Sequence, residues 1–474
     1  MLGPVQLEAI QRAAGPGNMS TERATLWTYG MDNSRRHALP DAVVYASDHA
    51  QVRAVVQACF THRIPLTARG RGTGTTGATV PIHGGVVLSF ERMNRILEVN
   101  PDDRLMVVEP GVTNGEVQAA AREHGFFWPP DPTSSAFCTV GGNLAYNSAG
   151  PRAVKYGTVR DNVLALRAIS GDGRDFRTGT RTTKGVVGYD LTRLLVGSEG
   201  TLAIITEATL RLTPLPEAIR TARALYRDMQ SAADAVARLM AQPVTPCALE
   251  FIDGAAMDMI RGHTDADLPV HARAMLMIEV DGPAACLEPA LASIRAAAGV
   301  DGLLEWREAR DAAEVQTLWA TRKALSPALR KVAPKKINED VVVPVSRIPA
   351  LIGGLEKLSA AHAIPIINFG HAGNGNIHVN LLLDPDAPGA WERAHACLDE
   401  VFALVLELGG TLSGEHGVGL EKRDFIDREL GDTALDLMRQ IRTVFDPAGI
   451  LNADKTLPLT GGLSAPLSGQ ASAS

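Results

Sequence analysis

The run Arg69-Gly-Arg-Gly-Thr-Gly-Thr-Thr-Gly77 restricts this chain's fold more than any other stretch. Residues 72–77 match the dinucleotide fingerprint GxGxxG. That fingerprint works only when a helix follows at once and turns its N-terminus to a pyrophosphate. Here Pro81, Gly84 and Gly85 follow, and then the strand-like Val86–Phe90. A Rossmann unit is therefore rejected. Successive backbone N–H groups in a glycine-rich loop still make an anion-binding nest without a helix. The loop is read as a phosphate cradle, entered from a helix carrying Val52, Val55, Val56, Cys59 and Phe60 and a short strand, Ile64–Ala68.

Two further loops share that character. Pro129 to Gly150 is long, irregular and rich in small hydrogen-bonding residues, a composition that wraps ligands with backbone groups. Val196-Gly-Ser-Glu-Gly-Thr-Leu202 is a glycine-punctuated turn before the strand Ala203–Leu212. Between them lie Tyr156-Gly157 and the strand Val163–Ser170. Thr113 and Glu116 form a capping box that starts a helix. Three such loops on one α+β unit make a cofactor domain. Pro214 and Pro216 then mark a boundary.

Beyond it the pattern is strand-helix-strand, twice, the split βαβ plan. A long helical stretch near 308–332 puts Trp319, Arg322 and Ser326 along one side. A strand Asp340–Val345, a helix Pro349–His362 capped by Ser346, a strand pair and a helix Trp391–Leu408 follow. The reading is one antiparallel sheet with helices on one face. Residues 457–474 are rich in Ser, Gly and Ala and are read as a disordered tail.

The totals exclude several classes. A chain of 474 residues has room for two or three domains. A net charge of −7 without a long basic run argues against nucleic acid as a partner. Five scattered cysteines, with no CxxC pair, fit reduced thiols in a cytoplasm and argue against thiolate-held clusters. No signal peptide or membrane-spanning run is read, and peripheral membrane contact stays open.

Two short segments carry the chemistry. Gly370-His-Ala-Gly-Asn-Gly-Asn-Ile-His-Val-Asn380 reads as strand, turn, strand, with His371 and His378 beside the turn and His378 and Asn380 on one face. Thr411 to Gly419 joins a carboxylate to an imidazole at Glu415-His416. Two histidines and a carboxylate make a divalent-metal set. Arg322 has the fork that matches a substrate carboxylate. Spacing alone leaves open an incidental surface hairpin, a plain hydrogen-bonded turn at Glu415-His416 and a solvated helical arginine.

Seven segments together carry a resemblance: Arg69–Gly77, Pro130–Gly150, Val196–Leu202, Trp319–Arg322, Gly370–Asn380, Ser413–Gly419 and Phe445-Asp-Pro-Ala-Gly-Ile-Leu-Asn452. Over nearly its whole length the chain resembles the flavin-dependent D-2-hydroxy acid dehydrogenases, which act on D-lactate, D-2-hydroxyglutarate or glycolate. These belong to the vanillyl-alcohol oxidase superfamily. The resemblance implies an α+β protein. An FAD-binding domain of the vanillyl-alcohol oxidase/PCMH type would span 1–215. A substrate- and metal-binding domain, an antiparallel sheet covered by helices, would span 216–440. Residues 441–456 would return to the FAD domain.

It implies FAD contacts at Arg69, Gly70, Arg71, Gly72, Thr73, Gly74, Thr75 and Gly77. In the second loop it implies Pro132, Thr133, Ser134, Thr139, Gly141, Gly142, Asn143, Asn147, Ser148 and Gly150. Tyr156, Gly157, Gly200, Ile204 and Asn452 complete that set. Relatives that attach FAD covalently often carry His where this chain has Thr73, so the FAD is expected to be non-covalent. His371, His378 and Glu415 would hold zinc or manganese, and His416 would be the base. Arg322, Ser326, Lys336, Asn380 and His416 would meet the substrate. The implied reaction oxidises a D-2-hydroxy acid to the 2-oxo acid. Electrons then pass to an external quinone, cytochrome or flavoprotein. Dicarboxylate-specific members tend to carry a lysine just before the Asp340 strand; here Asn338 stands nearby and Lys335 and Lys336 come earlier. D-lactate is therefore placed ahead of D-2-hydroxyglutarate. A homodimer and a flavin subunit of a larger electron-transfer complex are the assemblies considered.

Overall fold

The computed structural model describes residues 1–261 and 268–459. The expected disordered tail lies, from residue 460 onward, outside the described residues. No described helix is long and apolar enough to cross a membrane.

The first part contains β1 (Met19–Ser20), β2 (Ala42–Tyr45), β3 (Leu66–Arg69) and β4 (Val86–Ser89), in the order β1-β2-β4-β3. Both β2 and β3 run parallel to β4. The crossover from β2 to β3 is the helix His49–His62. It forms because Asp48 accepts a hydrogen bond from the Gln51 N–H and because Val52, Val55, Val56 and Cys59 bury one face. The link from β3 to β4 is the glycine loop. It can close because Gly85 sits at φ +69°, where a side chain would strike the Pro65 carbonyl.

A five-stranded antiparallel sheet follows, ordered β5-β6-β10-β8-β9: β5 (Ile96–Asn100), β6 (Leu105–Val108), β8 (Val163–Ser170), β9 (Asp175–Gly179) and β10 (Ala203–Arg211). β7 (Phe126–Phe127) pairs with β11 (Thr213–Pro214). The loop from 129 to 150 is less irregular than its composition predicts. Residues Val140–Tyr146 form a helix, with Thr139 accepting from the Gly142 N–H.

After Pro214 come β12 (Ala218–Tyr226), β13 (Ala248–Asp253), β14 (Ala274–Gly282), β15 (Leu303–Glu308), β16 (Lys335–Val342), β17 (Ile366–His371) and β18 (Asn376–Leu383). They make one antiparallel sheet, ordered β15-β12-β14-β13-β17-β18-β16. β16 starts five residues before the expected Asp340, because its ladder with β18 runs from Lys335 opposite Leu383 to Val342 opposite Asn376. The next helix begins at Ile348 behind a 3-10 turn, without the side-chain cap expected of Ser346.

Helices do not keep to one face. Four of them (Met229–Ala241, Ala284–Ala298, Ile348–His362 and Ala390–Glu407) pack on one side over Leu249, Phe251, Leu276, Ile377 and Val379. On the other side Leu325 and Leu329 of the helix Ala312–Val332 meet Ile252, Phe369 and Leu382. That side carries the site. Alternation along the strands puts Glu250, Phe369, His371, His378, Asn380, Asn338 and Asp340 there through the pairs Glu250–His371, Phe369–His378, Asp340–His378 and Asn338–Asn380.

The chain ends back in the first part. Ile450 and Leu451 are buried with Leu66 and Leu88, and Leu451 bridges Leu66 in parallel.

Candidate active site

Two interior strands and one loop bring three ligand atoms together. His371 closes β17, His378 lies in β18, and Glu415 projects from the loop after the bridge Val342–Thr411. One ligand atom from each lies within 4.8 Å of the others. His371 Nε2 is 3.2 Å from Glu415 Oε1, and His378 Nε2 is 3.8 Å from the same oxygen. Gly375 makes the turn between the histidines possible: it sits at φ +75°, with the Val343 carbonyl where a Cβ would be.

A fourth residue, unread in the sequence, completes the cluster. Glu250 on β13 lies opposite His371, is 1 % exposed, and binds His371 Nδ1 at 2.6 Å through Oε1. Its Oε2 accepts from Arg322 Nε at 2.7 Å. A carboxylate on Nδ1 fixes the ring and leaves Nε2 for a ligand. Arg322 also lies over the Phe369 ring, 4.8 Å from its centroid.

The electrostatics fit a cation. Burial opposes charge on His371, yet Glu250 and Glu415 outweigh it and push its pKa up to about 10. Burial, aided by His416 and His371, holds His378 well below the usual imidazole range, so that ring is neutral. Glu415 is half-buried; burial raises its pKa, and His371 and His378 nevertheless pull it far below the carboxylate range. Two imidazoles and the Glu415 carboxylate, with Glu250 behind His371 and a buried His378 Nδ1 that has no partner among the described residues, are a donor set suited to a divalent ion. His416 stacks on His378 at 5.2 Å with an interplanar angle of 10°.

Arg322, Phe369, His378, Glu415 and His416 open onto a cavity of about 1000 Å³. Its other wall is the glycine loop, residues 70–75, with Pro132, Thr133, Ser134, Thr139, Gly142, Asn143, Tyr146 and Ser148. The cradle is close-fitting. A Cβ at Gly70 would meet Thr139 Oγ1, and one at Gly74 would meet the Tyr146 hydroxyl. That hydroxyl is buried without a partner among the described residues. The cavity runs from this glycine-rich cradle to His378 and His416.

Comparison with known proteins decides the family. The description "FAD linked oxidases, C-terminal domain" matches residues 215–456, and "FAD binding domain" matches 40–179. The glycolate oxidase subunit GlcD of Bacillus subtilis is 37 % identical over 449 residues, covering 94 % of this chain and 96 % of that one. The chain belongs to the FAD-linked oxidases. It is an FAD-dependent oxidoreductase of the 2-hydroxy acid dehydrogenase kind. A probable mitochondrial D-lactate dehydrogenase of Danio rerio is 32 % identical, covering 96 % of this chain and 92 % of that one. A D-2-hydroxyglutarate dehydrogenase of Stutzerimonas stutzeri is 31 % identical, covering 96 % and 99 %. The structure of p-cresol methylhydroxylase shares the fold, with a TM-score of 0.78 at 18 % identity over 97 % of this chain and 98 % of that one.

In this FAD-linked oxidase most of the expected cofactor residues line the cavity, and some do not. Arg69 is buried and donates to the Met31 carbonyl. Gly77 packs on Arg36 and Leu420, and Gly141 donates to the Pro110 carbonyl. Asn147 turns inward, accepting from the Arg160 N–H and the Thr158 hydroxyl. The Gly150 N–H donates to Glu415 Oε2 at 2.8 Å, so it braces the carboxylate. Tyr156 donates to Asp281 across the two parts of the chain, and Gly157 faces Asp161. Ile204 belongs to the core, and Gly200 faces Ala68. Asn452 spends its amide on the carbonyls of Ala78 and Glu199.

On the substrate side of the oxidase, Arg322, Lys336, His378, Glu415 and His416 line the cavity. Asn380 is fully buried and donates to the carbonyls of Ile367 and His378. Ser326 falls in the helix Ala312–Val332, but its side chain lies outside the described residues. Besides Glu250, the sequence reading missed Tyr146 and Glu199. Glu199 accepts from the N–H groups of Val418 (2.6 Å) and Gly419 (2.9 Å). It thereby pins the loop carrying Glu415 and His416 to the FAD-binding part. Tyr146 had a signal, since it and Phe137 are the two aromatics of a small-residue loop. Glu250 had none inside an apolar strand.

Proposed function

We propose that this protein oxidises a D-2-hydroxy acid to its 2-oxo acid with non-covalent FAD and a divalent ion, zinc or manganese, and passes the electrons to an external acceptor. The observation that carries the reading is the cluster His371, His378 and Glu415, which reaches the cavity of the FAD cradle through His378 and Glu415, with Arg322 on the same wall. His371, His378 and Glu415 would hold the ion; residues 70–75, 132–134 and Tyr146 would surround the FAD. When bound, the ion supplies Lewis acidity toward a hydroxyl, and FAD supplies a two-electron acceptor.

The chain supplies the rest. Arg322, held by Glu250 and Phe369, presents its terminal nitrogens to a carboxylate and fixes the substrate's orientation. His416 takes the hydroxyl proton on Nε2, since its Nδ1 lies 3.6 Å from Asp340. The His378 ring stacks on it and holds its plane.

Lys323, Lys335 and Lys336 line the same cavity. They favour a second reading in which the substrate carries a further acidic group, as D-2-hydroxyglutarate does. Anaerobic flavin reduction by a panel of D- and L-2-hydroxy acids tests both. Bleaching by D-lactate or D-2-hydroxyglutarate, abolished by chelation or by His371→Ala, is expected. A flavin that stays oxidised with every member of the panel, or full activity after chelation, would overturn the proposal. Acid precipitation should release the FAD into solution.

A further inference from the structure

Asp340 is fully buried on β16, behind the loop that carries Glu415 and the proposed base His416. Its Oδ2 accepts from three successive backbone N–H groups: Gly414 at 3.0 Å, Glu415 at 2.6 Å and His416 at 2.8 Å. Its Oδ1 takes the Ser413 hydroxyl at 3.3 Å and the ammonium of Lys422, and lies 3.6 Å from His416 Nδ1. The backbone carbonyl of Asp340 takes the Gly414 N–H as well. Lys422 is itself 1 % exposed, and its remaining partners are the Leu412 carbonyl and Glu339.

A loop with two glycines beside its ligand has no conformation of its own. Three N–H groups closing on one carboxylate give it one, as a nest closes on an anion. Because Asp340 pairs with His378 across the ladder, the anchor is registered to the strand that holds another ligand. One buried carboxylate thus sets where Glu415 and His416 stand relative to His378.

We infer that Asp340 is a positioning residue for this centre. It fixes Glu415 toward the ion and His416 beside it through their backbone N–H groups, and its Oδ1 stands 3.6 Å from His416 Nδ1 while Lys422 holds the carboxylate from the other side. This rests on the proposed metal-assisted reaction. The loss of an outer partner of this kind costs about 10–100-fold in metal affinity or activity.

The test titrates zinc alone against a chromophoric chelator in wild type, Asp340→Asn and Asp340→Asn/Lys422→Met, with thermal denaturation and kcat and KM for the active 2-hydroxy acid. The single variant takes its nearest carboxylate from a buried ammonium, leaving Glu339 and the Leu412 carbonyl, and loses stability for that reason alone. The double variant removes both charges, at the cost of the Lys422–Glu339 pair, and is expected to regain part of the lost thermal stability. Zinc affinity at least tenfold below wild type in the refolded double variant, with kcat reduced more than KM is raised, supports the inference. Zinc affinity and kcat that recover together with stability would reduce Asp340 to a structural role. Wild-type binding of zinc with unchanged affinity in Asp340→Asn sinks this inference alone. Wild type that binds no zinc sinks the metal reading and takes this inference with it.

Discussion

Glu250 shows how little of this site a single residue can declare by itself. It lies in Ala-Leu-Glu-Phe-Ile-Asp, a run that reads as a buried strand with one stray charge. Only the pairing of β13 with β17 gives that charge a histidine on one oxygen and an arginine on the other. His371, His378, Glu415, His416 and Arg322 were legible because their residue types are scarce and chemically specific. Their partners were not, since partnership is set across strands and loops far apart in sequence. Arg322→Lys is predicted to keep the charge and lose the planar fork that serves Glu250 and a carboxylate together. A charge-assisted hydrogen bond is worth about 1.5–3 kcal/mol, so KM should rise about 10–100-fold. Steady-state kinetics with the preferred 2-hydroxy acid checks this, and an unchanged KM would remove Arg322 from the substrate's contacts.

Among the elements, the turn between β17 and β18 and the junction below it govern the geometry. Gly375→Ala puts a methyl group against the Val343 carbonyl at a positive φ. The expected cost is about 3 kcal/mol, from strain plus displacement. Thermal denaturation and zinc affinity should both fall. Asp253 ends β13, accepts from the Ala256 N–H at 2.7 Å and from the Asn368 N–H at 2.6 Å, and is buried. Burial, with Glu356 adding to it, pushes its pKa up to about 7 against three opposing hydrogen bonds. A raised folded pKa means that the native state holds the proton longer than the unfolded chain does. The stability it contributes is complete below the ordinary carboxylate range and is lost as pH rises through about 7. Relative to Asp253→Asn, wild type should therefore lose stability between about pH 4 and pH 8 in denaturant titrations. A constant difference would contradict this assignment. Strand and helix periodicity made most elements legible. The helix Val140–Tyr146 and the early start of β16 were not, because one has a glycine pair in its first turn and the other owes its length to its partner strand.

On the scale of the molecule, the two parts are fastened at the site itself. Glu199 holds the Val418–Gly419 backbone, Gly150 holds Glu415, and Lys155 and Tyr156 hold Asp281. The return of the C-terminal segment was readable as a motif, but its depth in the core was not. Truncation after residue 440 removes Ile450 and Leu451 from a core that includes Leu66 and Val86. Burying two such side chains stabilises by about 3–6 kcal/mol, so the truncated protein should be largely insoluble and bring no FAD through purification. A soluble yellow product would show that the segment is dispensable. The Leu66–Leu451 bridge also sets a timetable. A ribosome releases residue 66 long before residue 451, so β3 waits through most of synthesis with one edge uncovered. Closure of that edge, beside the glycine loop, is then an event of the finished chain.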